Sequence, residues 1–143
     1  MSAVKGTYAL LLRLDDACNI LVGAFGAFNF PAGWYLYLGS ARGPGGLPAR
    51  LARHRRRGHK RFHWHIDYLR AVAALVEIWS GQGEECDWVA AAAALPAAEV
   101  VVPRFGASDC QCPAHLFYYP RRPEMEELEG RLQIDLTREM IGE

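Results

Sequence analysis

The sequence is poor in the features that define several large classes of protein. It has no net charge, because 16 Lys and Arg residues balance 16 Asp and Glu residues, and it contains only 4 cysteines. No stretch of about 20 residues avoids both charges and helix breakers, which excludes a membrane-spanning helix. A small-residue cleavage site is missing after the first apolar run, where Asp15 and Asp16 stand instead. We therefore expect no secretory signal and a cytoplasmic protein.

What is present is the composition of a packed domain. Of the 143 residues, 51% are hydrophobic and 22% are charged, which excludes disorder for most of the chain. This length predicts a single domain over residues 1–143. A chain of this size buries enough surface to fold without a disulfide scaffold, so we expect the cysteines to be free thiols or metal ligands in a reducing compartment.

Hydrophobic patterning predicts strands first and then a mixture of helices and strands. We predict that residues 18–23 form the hairpin partner of the first strand and that residues 25–33 form a loop. The predicted strands cover residues 6–14, 18–23, 34–38, 76–80 and 115–120, and the last of them lies at a sheet edge. The predicted helices cover residues 47–56, 63–75, 84–95 and 124–140. This order indicates an α/β or α+β fold with helices around a small sheet.

The charges are segregated along the chain. Seven of the twelve residues 50–61 are Arg or Lys, whereas the acidic residues collect in the predicted terminal helix, residues 124–140. A local basic patch attracts a polyanion even when the net charge is zero. We therefore expect nucleic acid to bind along five basic side chains: Arg42, Arg53, Arg57, Lys60 and Arg61.

Helical periodicity sets two residues of the basic run apart. On a 3.6-residue wheel, Arg50 and His54 share a sector with Leu47 and Leu51. Because that sector is apolar, we expect Arg50 and His54 to lie at the lip of a cleft.

Several motifs occur in a recognisable order. Gly6-Thr7-Tyr8 lies in the first predicted strand, Tyr37-Leu38-Gly39 lies in the third, and Arg50 and His54 follow on the next helix. This arrangement resembles the GIY-YIG nuclease superfamily. The later strings HWHIDYL and DCxCxxH resemble one uncharacterised prokaryotic branch of it, whose members are sometimes fused to DNA-repair proteins. The resemblance covers residues 6–119.

The resemblance implies a small, mainly antiparallel central sheet flanked by helices and a metal-dependent endonuclease that acts on DNA, with RNA left open. It implies Mg²⁺ or Mn²⁺ as cofactor and a DNA-repair protein as partner. The catalytic residues would be Tyr8, Tyr37, Arg50, His54 and Glu85, of which Glu85 would bind the metal.

The residue types suit that chemistry. Arg50 offers a planar charged fork to phosphate oxygens, and a divalent ion requires a carboxylate. Tyr8 needs His54 or a metal-bound hydroxide to accept its proton, since only about one phenol in a thousand is ionised at pH 7.

Other assignments stay open at this point. Tyr35 shares a strand face with Tyr37 and is an alternative functional ring, and Glu77 and Glu84 are alternatives to Glu85. His63 and His65 either support the site or form a structural corner.

Two further hypotheses compete with the magnesium endonuclease. Cys86, Cys110, Cys112 and His115 offer a set of zinc ligands, although C-x-C is not the usual knuckle spacing.

A non-catalytic nucleic-acid-binding module is the alternative function. It is favoured because Asn19 and Asn29 are the only asparagines, and neither can supply the late Asn of active members.

Overall fold

A five-stranded antiparallel sheet with strand order β6-β4-β1-β5-β7 forms the centre of the molecule. The computed structural model describes residues 6–41, 45–56, 64–107 and 110–143. Its strands are β1 Gly6–Leu14, β2 Cys18–Leu21, β3 Ala27–Phe30, β4 Gly33–Ala41, β5 Ala74–Gly81, β6 Leu116–Tyr119 and β7 Thr137–Met140. Its helices are α1 Gly46–Arg55, α2 His65–Arg70, α3 Glu85–Ala93 and α4 Met125–Leu132. The expected antiparallel sheet with flanking helices is confirmed.

The central strand β1 explains the layered arrangement. Alternate side chains of a strand point to opposite faces of the sheet. Tyr8 and Leu10 join a core that includes residues of α1 and α2, whereas Ala9 and Leu11 join a second core that includes residues of α3 and α4. Helices therefore cover both faces of the sheet.

The predicted hairpin between the first two strands is wrong. β1 pairs with β4 along its whole length and with β5 on its other edge, whereas β2 pairs only with β3 in a separate two-stranded sheet. The loop predicted over residues 25–33 contains β3. β4 is the better partner because it is largely buried, whereas Ile20 is the one buried residue of β2.

Two predicted helices are shorter than expected. The helix predicted over residues 63–75 contains α2, which ends at Arg70, because Ala74 and Leu75 already pair with β1. The acidic helix predicted over residues 124–140 ends at Leu132, followed by Gln133 with a left-handed φ of 59°. The chain then forms β7, which pairs with β5 at the sheet edge. Among the described residues, no helix is long and apolar enough to cross a membrane.

Candidate active site

The ring of Tyr8 lies against the backbone of the neighbouring strand. Tyr8 is paired with Gly39 across β1 and β4. A Cβ atom on Gly39 would lie 2.4 Å from the Tyr8 hydroxyl oxygen, so only glycine leaves room for the phenol there. The two tripeptides singled out in the sequence thus form one packed unit.

His54 lies between two tyrosine rings. Its Nε2 atom is 2.7 Å from the Tyr8 hydroxyl oxygen, and both side chains are fully buried. The ring centroid of His54 is 5.2 Å from that of Tyr8 and 6.0 Å from that of Tyr37. Helix α1 therefore delivers His54 to the place where β1 and β4 present their phenols.

The structure distinguishes Tyr37 from Tyr35. The Tyr35 hydroxyl donates a hydrogen bond of 2.5 Å to the carbonyl oxygen of Pro31, and its ring packs against Tyr118. Tyr37 instead contacts His54 and, edge-on, Phe105. Tyr37 is thus the second phenol of the candidate site.

Arg50 is held above an aromatic ring at the edge of the site. Its guanidinium carbon lies 4.3 Å from the ring centroid of Trp64. Arg50 lies one turn before His54 on α1, and His54 contacts the Tyr8 hydroxyl. The positive charge of Arg50 and a hydrogen bond from it both lower the pKa of Tyr8. Within the described part of the chain, Arg50 forms no salt bridge with a carboxylate, so its guanidinium is available to bind a phosphate group.

Arg53 forms an ion pair that joins α1 to α2. It donates two hydrogen bonds of 2.7 Å to the buried Asp67, and its guanidinium carbon lies 4.1 Å from the ring centroid of Trp64. Its contact with nucleic acid stays a prediction.

Trp64 is the residue of the site that the sequence analysis missed. It lies next to both Arg50 and Arg53, and its ring centroid is 5.8 Å from that of His54. The signal in the sequence was an aromatic residue close to a basic run. The sequence analysis considered His63 and His65, which flank Trp64, and not Trp64 itself.

Glu85 begins α3 and faces a cavity of about 210 Å³. One carboxylate oxygen accepts a hydrogen bond of 3.3 Å from the Ser40 hydroxyl, and the other is 3.4 Å from Nδ1 of His115. Gly106 lines the same cavity, and a Cβ atom on it would lie 3.1 Å from the Tyr37 ring, so the Glu85 carboxylate lies near that phenol. Its negative charge raises the pKa of both Tyr8 and Tyr37.

The alternative carboxylates lie elsewhere. Glu77 is buried, accepts a hydrogen bond of 2.8 Å from the Trp79 indole, and pairs with Arg122 and Arg138. Glu84 is exposed at the residue before α3. The geometry therefore favours Glu85 as the carboxylate of the site.

Burial is the main influence on both phenols. It raises the pKa of Tyr8 above its ordinary value, while Arg50 opposes that change. It also raises the pKa of Tyr37 well above its ordinary value, and the neighbouring Tyr8 and Glu85 add to the effect. Both hydroxyls are thus protonated at neutral pH.

His65 contacts the loop that lies next to Tyr37. The backbone N–H of Gly106 donates a hydrogen bond of 2.8 Å to its Nδ1 atom, and burial lowers the pKa of the imidazole. Gly106 has a φ of 71°, and a Cβ there would lie 3.1 Å from the Tyr37 ring. His65 thus anchors the loop that packs over Tyr37.

The rest of the predicted basic track is not covered by the structure. Five predicted positions lie outside the described residues: Arg42, Arg57, Lys60, Arg61 and His63. Within the described part, Arg55 pairs with Glu139 of β7. The acidic end of the chain therefore neutralises part of the basic run.

The residues of the alternative zinc set come together beside Glu85. The sulfur atoms of Cys86, Cys110 and Cys112 lie within 4.8 Å of one another. His115 contacts Cys110 from the same cavity wall.

Comparison with known proteins gives a family but no characterised relative. The family model described as "Domain of unknown function DUF123" matches residues 7–135, which include every residue of the site described above. No curated protein and no solved structure matches the chain significantly.

Proposed function

This chain belongs to the DUF123 family, and we propose that it is a metal-dependent endonuclease of the GIY-YIG type that hydrolyses phosphodiester bonds in DNA. The observation that carries the proposal is the convergence of Tyr8, Tyr37, Arg50, His54 and Glu85 around one site. These residues come from two strands and two helices, β1, β4, α1 and α3, and they combine a cation, a carboxylate, an imidazole and two neutral phenols.

Arg50 is suited to bind the scissile phosphate. Its guanidinium is permanently charged and can offer two parallel N–H donors to phosphate oxygens. Stacking on Trp64 fixes the plane of the guanidinium before the substrate arrives. Charge stabilisation by a group that is already oriented requires no reorganisation during the reaction.

The oxygen atoms near Glu85 fit a hard divalent cation. Mg²⁺ is commonly held by one or two carboxylates, with water and substrate phosphate completing its coordination. Glu85 supplies a carboxylate and Ser40 a neighbouring hydroxyl oxygen, so these residues would hold Mg²⁺ or Mn²⁺. When bound, the ion would supply charge neutralisation and a water of lowered pKa.

Tyr8 and His54 offer a path for the proton of the attacking water. The Tyr8 oxygen accepts that proton while its own proton passes to Nε2 of His54, 2.7 Å away, which leaves a neutral phenol and an imidazolium. This relay avoids the phenolate, which burial disfavours. Tyr37, also protonated, is a second neutral donor for the developing charge.

The decisive experiment is a cleavage assay with Mg²⁺ or Mn²⁺ on duplex, nicked, branched and single-stranded DNA. We expect one of these forms to be cut and Glu85→Gln to reduce the rate at least about 100-fold, since even outer-shell changes at metal sites cost 10–100-fold. Asp87→Asn is the matched control, because Asp87 is an exposed carboxylate in the same turn of α3. The proposal fails if the wild-type protein leaves all four forms intact with either metal.

A non-catalytic nucleic-acid-binding module remains the second candidate. It is favoured because Asn19 and Asn29, the two asparagines of the sequence, lie in the separate β2–β3 sheet, where they bond to each other, and not on the strands that carry Tyr8 and Tyr37. This alternative predicts binding to DNA or RNA that weakens steeply with salt, no cleavage, and unchanged affinity in Glu85→Gln.

A further inference from the structure

Three cysteines converge although they come from separate segments. Cys86 lies in the first turn of α3, whereas Cys110 and Cys112 precede β6. Their sulfur atoms lie within 4.8 Å of one another, with Cys86 and Cys112 3.1 Å apart, and all three are free thiols. Neutral thiols are weak hydrogen-bonding groups, so hydrogen bonding gives little reason for this convergence.

A histidine lies beside the three cysteines and contacts one of them. Nε2 of the buried His115 is 3.0 Å from the sulfur of Cys110, and Nδ1 on the other side of the ring is 3.4 Å from the Glu85 carboxylate. Metal-binding histidines commonly donate their second N–H to a carboxylate, which fixes the ring and its tautomer. The imidazole of His115 is therefore oriented as such a ligand would be.

We propose that Cys86, Cys110, Cys112 and His115 bind one Zn²⁺ ion. A Cys₃His set is a common tetrahedral arrangement for structural zinc, and Zn–S bonds of about 2.3 Å place sulfur atoms about 3.8 Å apart. The spacing of the three sulfurs brackets that value. Soft thiolate ligands favour zinc over magnesium, so this site is chemically distinct from the oxygen donors at Glu85.

Binding of the ion would convert the free thiols of the cluster to thiolates, because zinc is held by deprotonated cysteines and displaces their protons.

The proposed zinc would join the start of α3 to the segment before β6. Because His115 contacts Glu85, the ion would also hold the carboxylate that the proposed endonuclease uses. The significance of this positioning of Glu85 rests on the proposed function. The zinc site itself does not depend on it.

Metal content tests the proposal directly. The full chain, expressed with zinc and dialysed under reducing conditions, should contain one zinc per chain by elemental analysis. Cys86→Ser should lower the zinc content to well below one per chain, and it is a suitable variant because Cys86 is exposed. Cys18→Ser is the control, because Cys18 lies on β2 outside the cluster, and it should keep the metal.

Cobalt provides a second measurement that needs no variant. Replacement of zinc by Co²⁺ in the wild-type protein should produce a thiolate-to-cobalt charge-transfer band and intense visible bands of tetrahedral cobalt. Metal-free wild-type protein, zinc retained in full by Cys86→Ser, or a Cys86–Cys112 disulfide found by mass spectrometry of the purified chain would each overturn the proposal. These measurements use no DNA, so their failure is distinguishable from failure of the endonuclease proposal.

Discussion

The hydroxyl of Tyr8 and Nε2 of His54 form a buried hydrogen bond of 2.7 Å. In water the same phenol would be a weak acid with a pKa of about 10, so very little phenolate would be present at neutral pH. Burial raises the pKa of Tyr8 further, so the proposed mechanism uses the residue as a neutral relay and not as a phenolate. The proposed role of this tyrosine thus depends on His54 as much as on its own chemistry.

Tyr8→Phe should separate the relay from packing. The variant keeps the ring but removes the hydroxyl, which should lower the rate of DNA cleavage about 10²–10⁴-fold. It should also lower the free energy of unfolding by about 1–3 kcal/mol, because the buried His54 nitrogen loses its partner. Cleavage assays and urea unfolding measure the two effects.

Tyr35→Phe is the control for that variant. Tyr35 also donates a buried hydrogen bond, to the Pro31 carbonyl, but it lies outside the candidate site. Tyr35→Phe should lower the free energy of unfolding and leave the rate of DNA cleavage unchanged. Equal loss of cleavage in the two variants would contradict the role of Tyr8.

At the scale of elements, strand β4 contributes three residues to one side of the candidate site. It carries the Tyr37 ring, the Ser40 hydroxyl beside Glu85, and Gly39, across which the Tyr8 ring lies. Pairing with β1 along nine residues fixes these positions relative to one another. A one-residue shift would turn every side chain of the strand to the opposite face.

Gly39→Ala should therefore disturb the site without changing any polar group. The added methyl would lie 2.4 Å from the Tyr8 hydroxyl, so we expect the free energy of unfolding to fall by about 1–3 kcal/mol and cleavage to be lost. Gly130→Ala is the control, because among the described residues nothing beyond its own stretch of α4 lies within 4 Å of the new methyl. That control should raise stability by up to about 1 kcal/mol. Equal stability of the two variants, measured by urea unfolding, would contradict the packing described here.

Helix α1 shows how one basic element serves two purposes. Arg50 and His54 face the candidate site, whereas Arg53 pairs with Asp67 of α2 and Arg55 with Glu139 of β7. The basic run is therefore partly a structural element that ties neighbouring segments together.

At the scale of the whole molecule, several tyrosines are buried in the two cores. Burial is the largest cause of a raised pKa at four of them: Tyr8, Tyr35, Tyr37 and Tyr119. The folded protein therefore keeps phenolic protons that the unfolded chain releases above about pH 10.

Stability should fall at alkaline pH for this reason. Below about pH 10 these phenols are protonated in both states, and above it the unfolded state binds fewer protons, so the free energy of unfolding decreases as pH rises. Urea unfolding at a series of pH values, with tyrosinate absorbance as a second signal, measures the effect. Tyrosinate absorbance that rises fully near pH 10 in the folded protein would contradict it.

Much of the fold follows from local patterns. β1, β5, β6, α1 and α3 are close to their predicted positions, because continuous apolar runs and helical periodicity are local signals. The predicted partner of β2 was wrong, and the residues of β7 were predicted to be helical. Strand pairing depends on which sheet edge is available and not on the residues of the strand alone.

The sequence by itself determined the order of Tyr8, Tyr37, Arg50 and His54, because these residues stand in recognisable motifs, but it left the carboxylate open. Only the tertiary structure decided which contacts the alternatives make: Tyr37 contacts His54 whereas Tyr35 bonds to Pro31, and Glu85 bonds to Ser40 whereas Glu77 pairs with Arg138. The physical reason is distance. Hydrogen bonds and ion pairs act over a few ångströms in space, and spacing along the chain does not specify which distant side chains meet.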